Sequence, residues 1–145
     1  MMQLAVPAPR EMLPWLAQRA SLVLSPTLEA IAAVDDKGQI AGMVGFDGWT
    51  PNAVYVHIAI EKPIALRRLV WRAFDLAFNR IGRGVIFAPV MSTNRKSIDL
   101  VVHLGFEQVA RLRDAWEPHV DMLLFEMRKR DCRWISGKEA MRWAA

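Results

Sequence analysis

N-R-K-S-I-D-L-V-V-H-L-G-F, residues 94–106, is the stretch on which the fold turns. It joins an apolar run, residues 85–90, to a second strand beginning near Phe106. Ile98, Val101, Val102 and Leu104 recur at helical spacing and make one apolar face. Asn94 stands at the helix entrance, where a first-turn N–H needs an acceptor. Gly105 stands where the chain has to leave the helix. Residues 85–90 are continuously apolar, as in a strand buried on both faces.

Outward from this unit the pattern is regular. Residues 53–61, A-V-Y-V-H-I-A-I-E, alternate strictly. Val54, Val56, Ile58 and Ile60 face one way, and Tyr55, His57, Ala59 and Glu61 the other. Pro63 opens a helix to about residue 79, with Leu66, Leu69, Val70, Ala73, Phe74 and Ala77 as its apolar stripe. Residues 28–35 and 39–46 read as strands joined by the turn D-D-K-G, and Gly42 and Gly45 thin the second of them or let it bulge. An earlier helical stretch, residues 9–24, is broken by or begins near Pro14. Residues 106–112 and 120–127 read as strands around a loop at 113–118. A short basic tail with a helical end follows. Helix, three strands, helix, strand, helix and two strands give a mixed sheet covered by helices, a three-layer α/β (α+β) fold.

A chain of 145 residues suits one domain, expected over residues 1–145 with its core at about 28–128 and the tail at 129–145. A hydrophobic share of 53% with 23% charged residues excludes a disordered chain. No apolar run approaches the ~20 residues of a membrane span. The opening M-M-Q-L-A-V-P-A-P-R lacks a basic start and apolar core, and with the single Cys132 the expectation is a cytoplasmic protein. The net charge of +4 suits an anionic partner or an ordinary solvated surface. Nucleic acid is not indicated, because no binding motif accompanies the charge. His103, His119 and Cys132 fit no compact zinc spacing, so no metal is expected.

The Asn entrance and Leu-Gly-Phe exit of residues 94–106, with the element order over roughly residues 28–128, resemble the GNAT acetyltransferase superfamily. The resemblance implies a mostly antiparallel sheet with one central, splayed parallel pair, residues 53–61 and 85–90. An acetyl-coenzyme A arm would lie in the splay against Ile58, Ala59 and Ile60, as an added strand would. The family's phosphate loop, Arg/Gln-x-x-Gly-x-Gly/Ala, falls here on E-K-P-I-A-L-R, residues 61–67, which has no glycine. Either the cations Lys62, Arg67 and Arg68 hold the phosphates at the helix start, or the fold persists without tight cofactor binding. The family's proton-donating Tyr, seven residues after the helix-opening Asn, is replaced by Val101.

For the chemistry, amine acetylation needs a base. His57 and Glu61, on one face of the central strand, are the candidates, read as sharing a substrate amine or water. Tyr55 is the one tyrosine able to offer a phenol. Asn94 would orient the cofactor arm or a water, and Ser97 would touch phosphate. Arg113 and Trp116, with Asp114, would contact the acceptor. Each has an ordinary alternative. His57 and Tyr55 would be packed structural residues, and Glu61, Arg67 and Arg68 solvated charges. Asn94 would be a helix cap, Ser97 a first-turn residue, and Trp116 part of a partner surface. The functional expectation is an acetyl-CoA-dependent N-acyltransferase acting on a primary amine of a small molecule or protein. The endings G-F-E-Q-V-A-R-L-R and M-R-K-R-D-C-R-W resemble ribosomal-protein acetyltransferases and small GNAT proteins of bacteriophages. The alternative is therefore a catalytically degenerate GNAT-fold structural or binding protein of a phage particle, located in the virion. A homodimer through residues 120–127 as an edge is a further expectation.

Overall fold

The computed structural model describes residues 2–136. Seven strands form one sheet: β1 (Gln3–Ala5), β2 (Glu29–Val34), β3 (Ile40–Asp47), β4 (Ala53–Ile60), β5 (Val85–Met91), β6 (Glu107–Glu117) and β7 (Val120–Arg128). Their order is β1-β2-β3-β4-β5-β7-β6, antiparallel except for the parallel pair β4–β5. Three helices cover it: α1 (Leu13–Ala20), α2 (Pro63–Phe74) and α3 (Arg95–Leu104). The mixed α/β class expected from the element order is the one observed.

Side-chain alternation along the strands separates two apolar clusters. On one face Ile31, Val44, Phe46, Val54 and Val56 pack with α2 and α3 through Leu69, Val70, Phe74, Val101 and Leu104. On the other, Ala30, Ala32 and Met43 pack with Leu13 and Leu16 of α1. Two glycines of β3 let the helices settle this closely. A Cβ at Gly42 would lie 2.9 Å from Ala65 Cβ of α2, and one at Gly45 would lie 2.5 Å from Leu16 Cδ2 of α1. These are close approaches of helix to strand, and the irregularity of the β2–β3 pair lies elsewhere, at Ala33 and Val34.

Several boundaries differ from the sequence expectation, each for a physical reason. β1 is too short to carry a pattern of its own and forms by pairing with β2. α1 begins at Leu13 with Pro14 in its first turn, where no N–H is required. After Phe74 the second helix widens into π turns, Asp75–Arg80. There the buried Asp75 carboxylate accepts from Asn79 Nδ2 and Arg80 Nε, both at 3.0 Å. β6 continues through the expected loop to Glu117 across an irregular register between Leu112 and Glu117. β7 lies between β5 and β6, so the edge expected at residues 120–127 is supplied by β6 instead.

α3 is capped as its ends suggest. Asn94 Oδ1 accepts from Ser97 N (3.1 Å), and Gly105 turns with φ of 105°. Val102, expected on the buried face, is 56% exposed, because the buried stripe runs through Val101 and Leu104. The last carbonyls of α3 have no helical donors and find them beyond β7. Trp134 Nε1 donates to Leu104 O (2.7 Å) and Arg133 to His103 O (2.6 Å). Cys132 and Trp134 are thus buried in the helix-side cluster rather than trailing in a tail. The helical end expected for that tail lies outside the described residues.

Candidate active site

β4 and β5 pair at three positions only, Ala53↔Val85, Val54↔Ile86 and Tyr55↔Phe87. Beyond them β4 stays with β3 as far as Ile60, and β5 stays with β7 as far as Met91. The phase of the hydrogen bonds explains the parting. Antiparallel neighbours exchange bonds at alternate residues. Glu61 N donates to Ala41 O (2.9 Å), so Ala59, His57 and Tyr55 bond towards β3. The peptide groups of Val54, Val56, Ile58 and Ile60 therefore face the opposite edge. On the far side Lys129 N donates to Gly84 O (3.0 Å) and Ser92 N to Asp121 O (2.9 Å). That phase turns Val85, Phe87, Pro89 and Met91 towards β4. The next rung would run from the N–H of residue 89 to the Val56 carbonyl, and proline has no N–H. The ladder stops at Pro89, leaving the Ile58 and Ile60 peptide groups without a strand partner.

Two connected spaces occupy the opening. The outer groove, about 590 Å³, lies between β4, the start of α2 and the side of α3, with Ile58, Ala59, Ile60, Lys96, Ser97 and Leu100 in its wall. The inner chamber, about 40 Å³, reaches through the sheet past His57, Pro89, Met91 and Trp116 to Ala20 at the end of α1. Ile58, Asn94, Ser97 and Leu100 line both.

His57 is half-buried in the inner chamber and makes no side-chain hydrogen bond among the described residues. Burial lowers its proton affinity below the ordinary imidazole value, and the Asp47 carboxylate opposes this more weakly. A neutral imidazole with a free nitrogen is able to accept a proton. Glu61 is placed apart from it. Four residue steps along the strand separate the two by about 13 Å, and Glu61 lies at the outer groove. The structure puts the two in different spaces, where the strand face had suggested one shared amine or water. Glu61 Oε1 instead accepts from Arg19 Nε at 2.6 Å. Tyr55 stays in the paired section of β4, its ring 5.5 Å from that of Phe87 and directly over Gly48. It lines neither space.

Asn94 combines its cap with a groove position. Because Oδ1 is engaged by Ser97 N, the amide NH₂ is the end left over. Arg67 and Arg68 are exposed on α2 and line neither space. The cations that do line the outer groove are Arg19 and Lys96, with His103 beside them. Lys96 has no ion-pair partner among the described residues. Neither it nor Arg19 was among the sequence candidates, because Arg19 reaches the groove only when α1 folds across β4. Pro89 carried a readable signal, a proline inside an apolar strand, which marks a strand edge.

The segment before α2 is closed to anions in one specific way. The amides of Glu61 and Lys62 both donate to Ala41 O, at 2.9 and 3.1 Å, and Pro63 has none. Lys62 is in turn ion-paired with Asp35. Asp35 is held down to about 2 by Lys62 first and then by the Gln39 amide.

Trp116 is half-buried and lines the inner chamber; Arg113, on the same strand, is exposed and does not. A carboxylate knot positions this part of β6. Asp121 accepts from Arg111 Nε (2.6 Å) and Asp114 N (3.0 Å), and Asp114 Oδ1 accepts from His119 N (3.1 Å). Cys132 plays no part here: burial pushes its thiol up to about 11.

No family model and no curated protein sequence matches the chain. Solved structures do match it. The spermidine N-acetyltransferase of Vibrio cholerae in complex with CoA and spermine superposes with a TM-score of 0.70 at 15% identity, covering 90% of this chain and 96% of that one. A mutant form of the Vibrio cholerae spermidine/spermine N-acetyltransferase gives 0.70 at 14% identity over 98% and 99%. The fold is that of the GNAT acetyltransferases. A phosphinothricin N-acetyltransferase, so assigned provisionally, adds a third match, with a TM-score of 0.68 at 16% identity over 88% and 98%. At these identities the likeness to GNAT enzymes is one of fold.

Proposed function

We propose that this chain is an acyl-CoA-dependent N-acyltransferase that acetylates a primary amine, working in the cytoplasm. The observation that carries this reading is the interrupted β4–β5 ladder. It exposes the Ile58 and Ile60 peptide groups to a groove of about 590 Å³ that leads to His57.

Acetyl-CoA, when bound, supplies an activated acyl carbon and a thiolate leaving group. The Ile58 and Ile60 peptide groups are suited to the amides of its pantetheine arm, in the manner of an added strand. Asn94 NH₂ and Ser97 Oγ lie beside that path. Since the amides before α2 are already used, Lys96 and Arg19 take the place of a glycine loop in neutralising phosphate. His57 accepts the first proton of the acceptor ammonium. The amine nitrogen then bonds to the acyl carbon as the thioester C–S bond breaks, and its second proton leaves with the thiolate as thiol. Val101 is buried at 4% and takes no part in that proton's path.

Calorimetry with acetyl-CoA tests the reading directly. Dissociation constants well below millimolar are expected, with heat lost in Lys96→Ala. Absence of binding at millimolar donor removes the enzyme. It would favour the second reading, a GNAT-fold binding or structural component such as that of a phage particle. Two features support that alternative: the sealed Glu61–Pro63 segment and the aliphatic residue at 101.

A further inference from the structure

We infer that the acceptor is a monoamine carried on an apolar or aromatic arm, selected by Trp116 and discriminated from polycations; this rests on the acyl-transfer reading above. The two connected spaces differ in how many charged groups line them. The outer groove has Arg19, Glu61, Lys96, Asp99 and His103 in its wall. Among the described residues lining the inner chamber, His57 is the one titratable group, and the rest of the wall is apolar, aromatic or neutral. The outer wall thus carries two cations and two carboxylates and the inner wall no formal charge, so the polar, charged end of the donor belongs outside and an apolar acceptor arm inside.

Size narrows the acceptor further. At about 10–15 Å³ for each water-sized group, a chamber of about 40 Å³ admits an aminomethyl end and little more. The remainder of the acceptor has to lie outside it, leaving Trp116, Met91 and Ala20 as the wall it passes. The Asp121–Asp114 knot braces the irregular stretch of β6 that carries Trp116.

A second ammonium, as on a polyamine, needs a carboxylate nearby. No carboxylate is among the described residues lining the chamber. Asp121 accepts on both oxygens, from Arg111 and the Asp114 amide, while Asp114 and Asp47 each accept on Oδ1, from the His119 amide and from Thr27 with the Gly48 amide. Glu117 follows Trp116 on the strand and alternates to the opposite face. A methylene gained or lost against an apolar pocket wall is worth about 10- to 200-fold in discrimination.

The test compares 2-phenylethylamine with spermidine in two ways. With acetyl-CoA present, thiol release should give 2-phenylethylamine a kcat/KM at least about tenfold above that of spermidine. Trp116→Ala should lower it about tenfold while the Kd for acetyl-CoA is unchanged. Without donor, the Trp116 indole N–H resonance, assigned by its loss in Trp116→Phe, should shift on titration with 2-phenylethylamine at concentrations where spermidine leaves it in place. Equal or better use of spermidine, or an indole that answers to spermidine alone, overturns the inference. Failure of acetyl-CoA to bind while the indole still responds to 2-phenylethylamine overturns acyl transfer and leaves the amine site standing. No response to either amine overturns the site as well.

Discussion

Burial disfavours the His57 imidazolium by more than Asp47 restores, which shifts the ring towards its neutral form, with one N–H and one free nitrogen. In the proposed role of base it loses function when protonated, so kcat/KM is expected to rise with pH through a midpoint below 6.5 and then level off. His57→Ala should remove that limb and lower kcat by about 10²–10⁴-fold, the usual range for a positioned base. A change under threefold would assign the proton elsewhere. Stability follows the same shift with a definite sign. The unfolded chain protonates His57 near 6.5 and the folded chain only at lower pH, so this residue weakens the fold as pH falls below 6.5 and has no effect above it. Asp35 acts in a more acid window. Its folded value of about 2, against 3.8, gives stability that is present above 3.8 and lost as pH falls towards about 2. Asp35→Asn should flatten that part of an acid melt and release Lys62. The strand face that carries His57 was legible from alternation. The true setting of Glu61 was not, because its partner Arg19 stands 42 positions earlier and on another element.

Among the elements, β5 is the one whose sequence reading missed its consequence. Six apolar residues in a row do describe a strand, and β5 is paired on both sides. The run also contains Pro89, and a residue without an N–H cannot continue a ladder on the side its nitrogen faces. Pro89→Ala restores that donor. It is expected to let β4 and β5 zip one rung further and to weaken acetyl-CoA binding about three- to tenfold, the scale of one net hydrogen bond. Hydrogen exchange at Ile58 would slow in the same variant. Unchanged exchange and affinity together would mean that packing, not the missing donor, parts the strands. The helix at residues 95–104 was legible almost to the residue, because both of its caps are local. β6 was cut short in the reading because residues 113–118 look like a loop. Its continuation depends on Asp121 across the hairpin, which no local pattern announces.

For the whole molecule, the element order was enough to give the mixed sheet, since short connections and one crossover leave few arrangements. What the order could not give was the role of the residues after β7. Trp134 is 4% exposed and caps α3 from 30 positions away. Trp134→Ala should cost about 3–5 kcal/mol, as for a large buried aromatic. Trp134→Phe, which keeps the ring and loses the N–H, should cost about 0.5–1.5 kcal/mol. Both are read from denaturant melts, and equal losses would show that the hydrogen bond contributes nothing. The stop at Pro89 has a further consequence at this scale. The described residues form a seven-stranded sheet with room cut for one more extended chain, and whatever fills that room joins the folded state and has no counterpart in the unfolded one. Acetyl-CoA at a hundred times its dissociation constant would then raise the unfolding free energy by about 2.7 kcal/mol. The melting temperature becomes a gauge of occupancy, with the split sheet reporting its own completion.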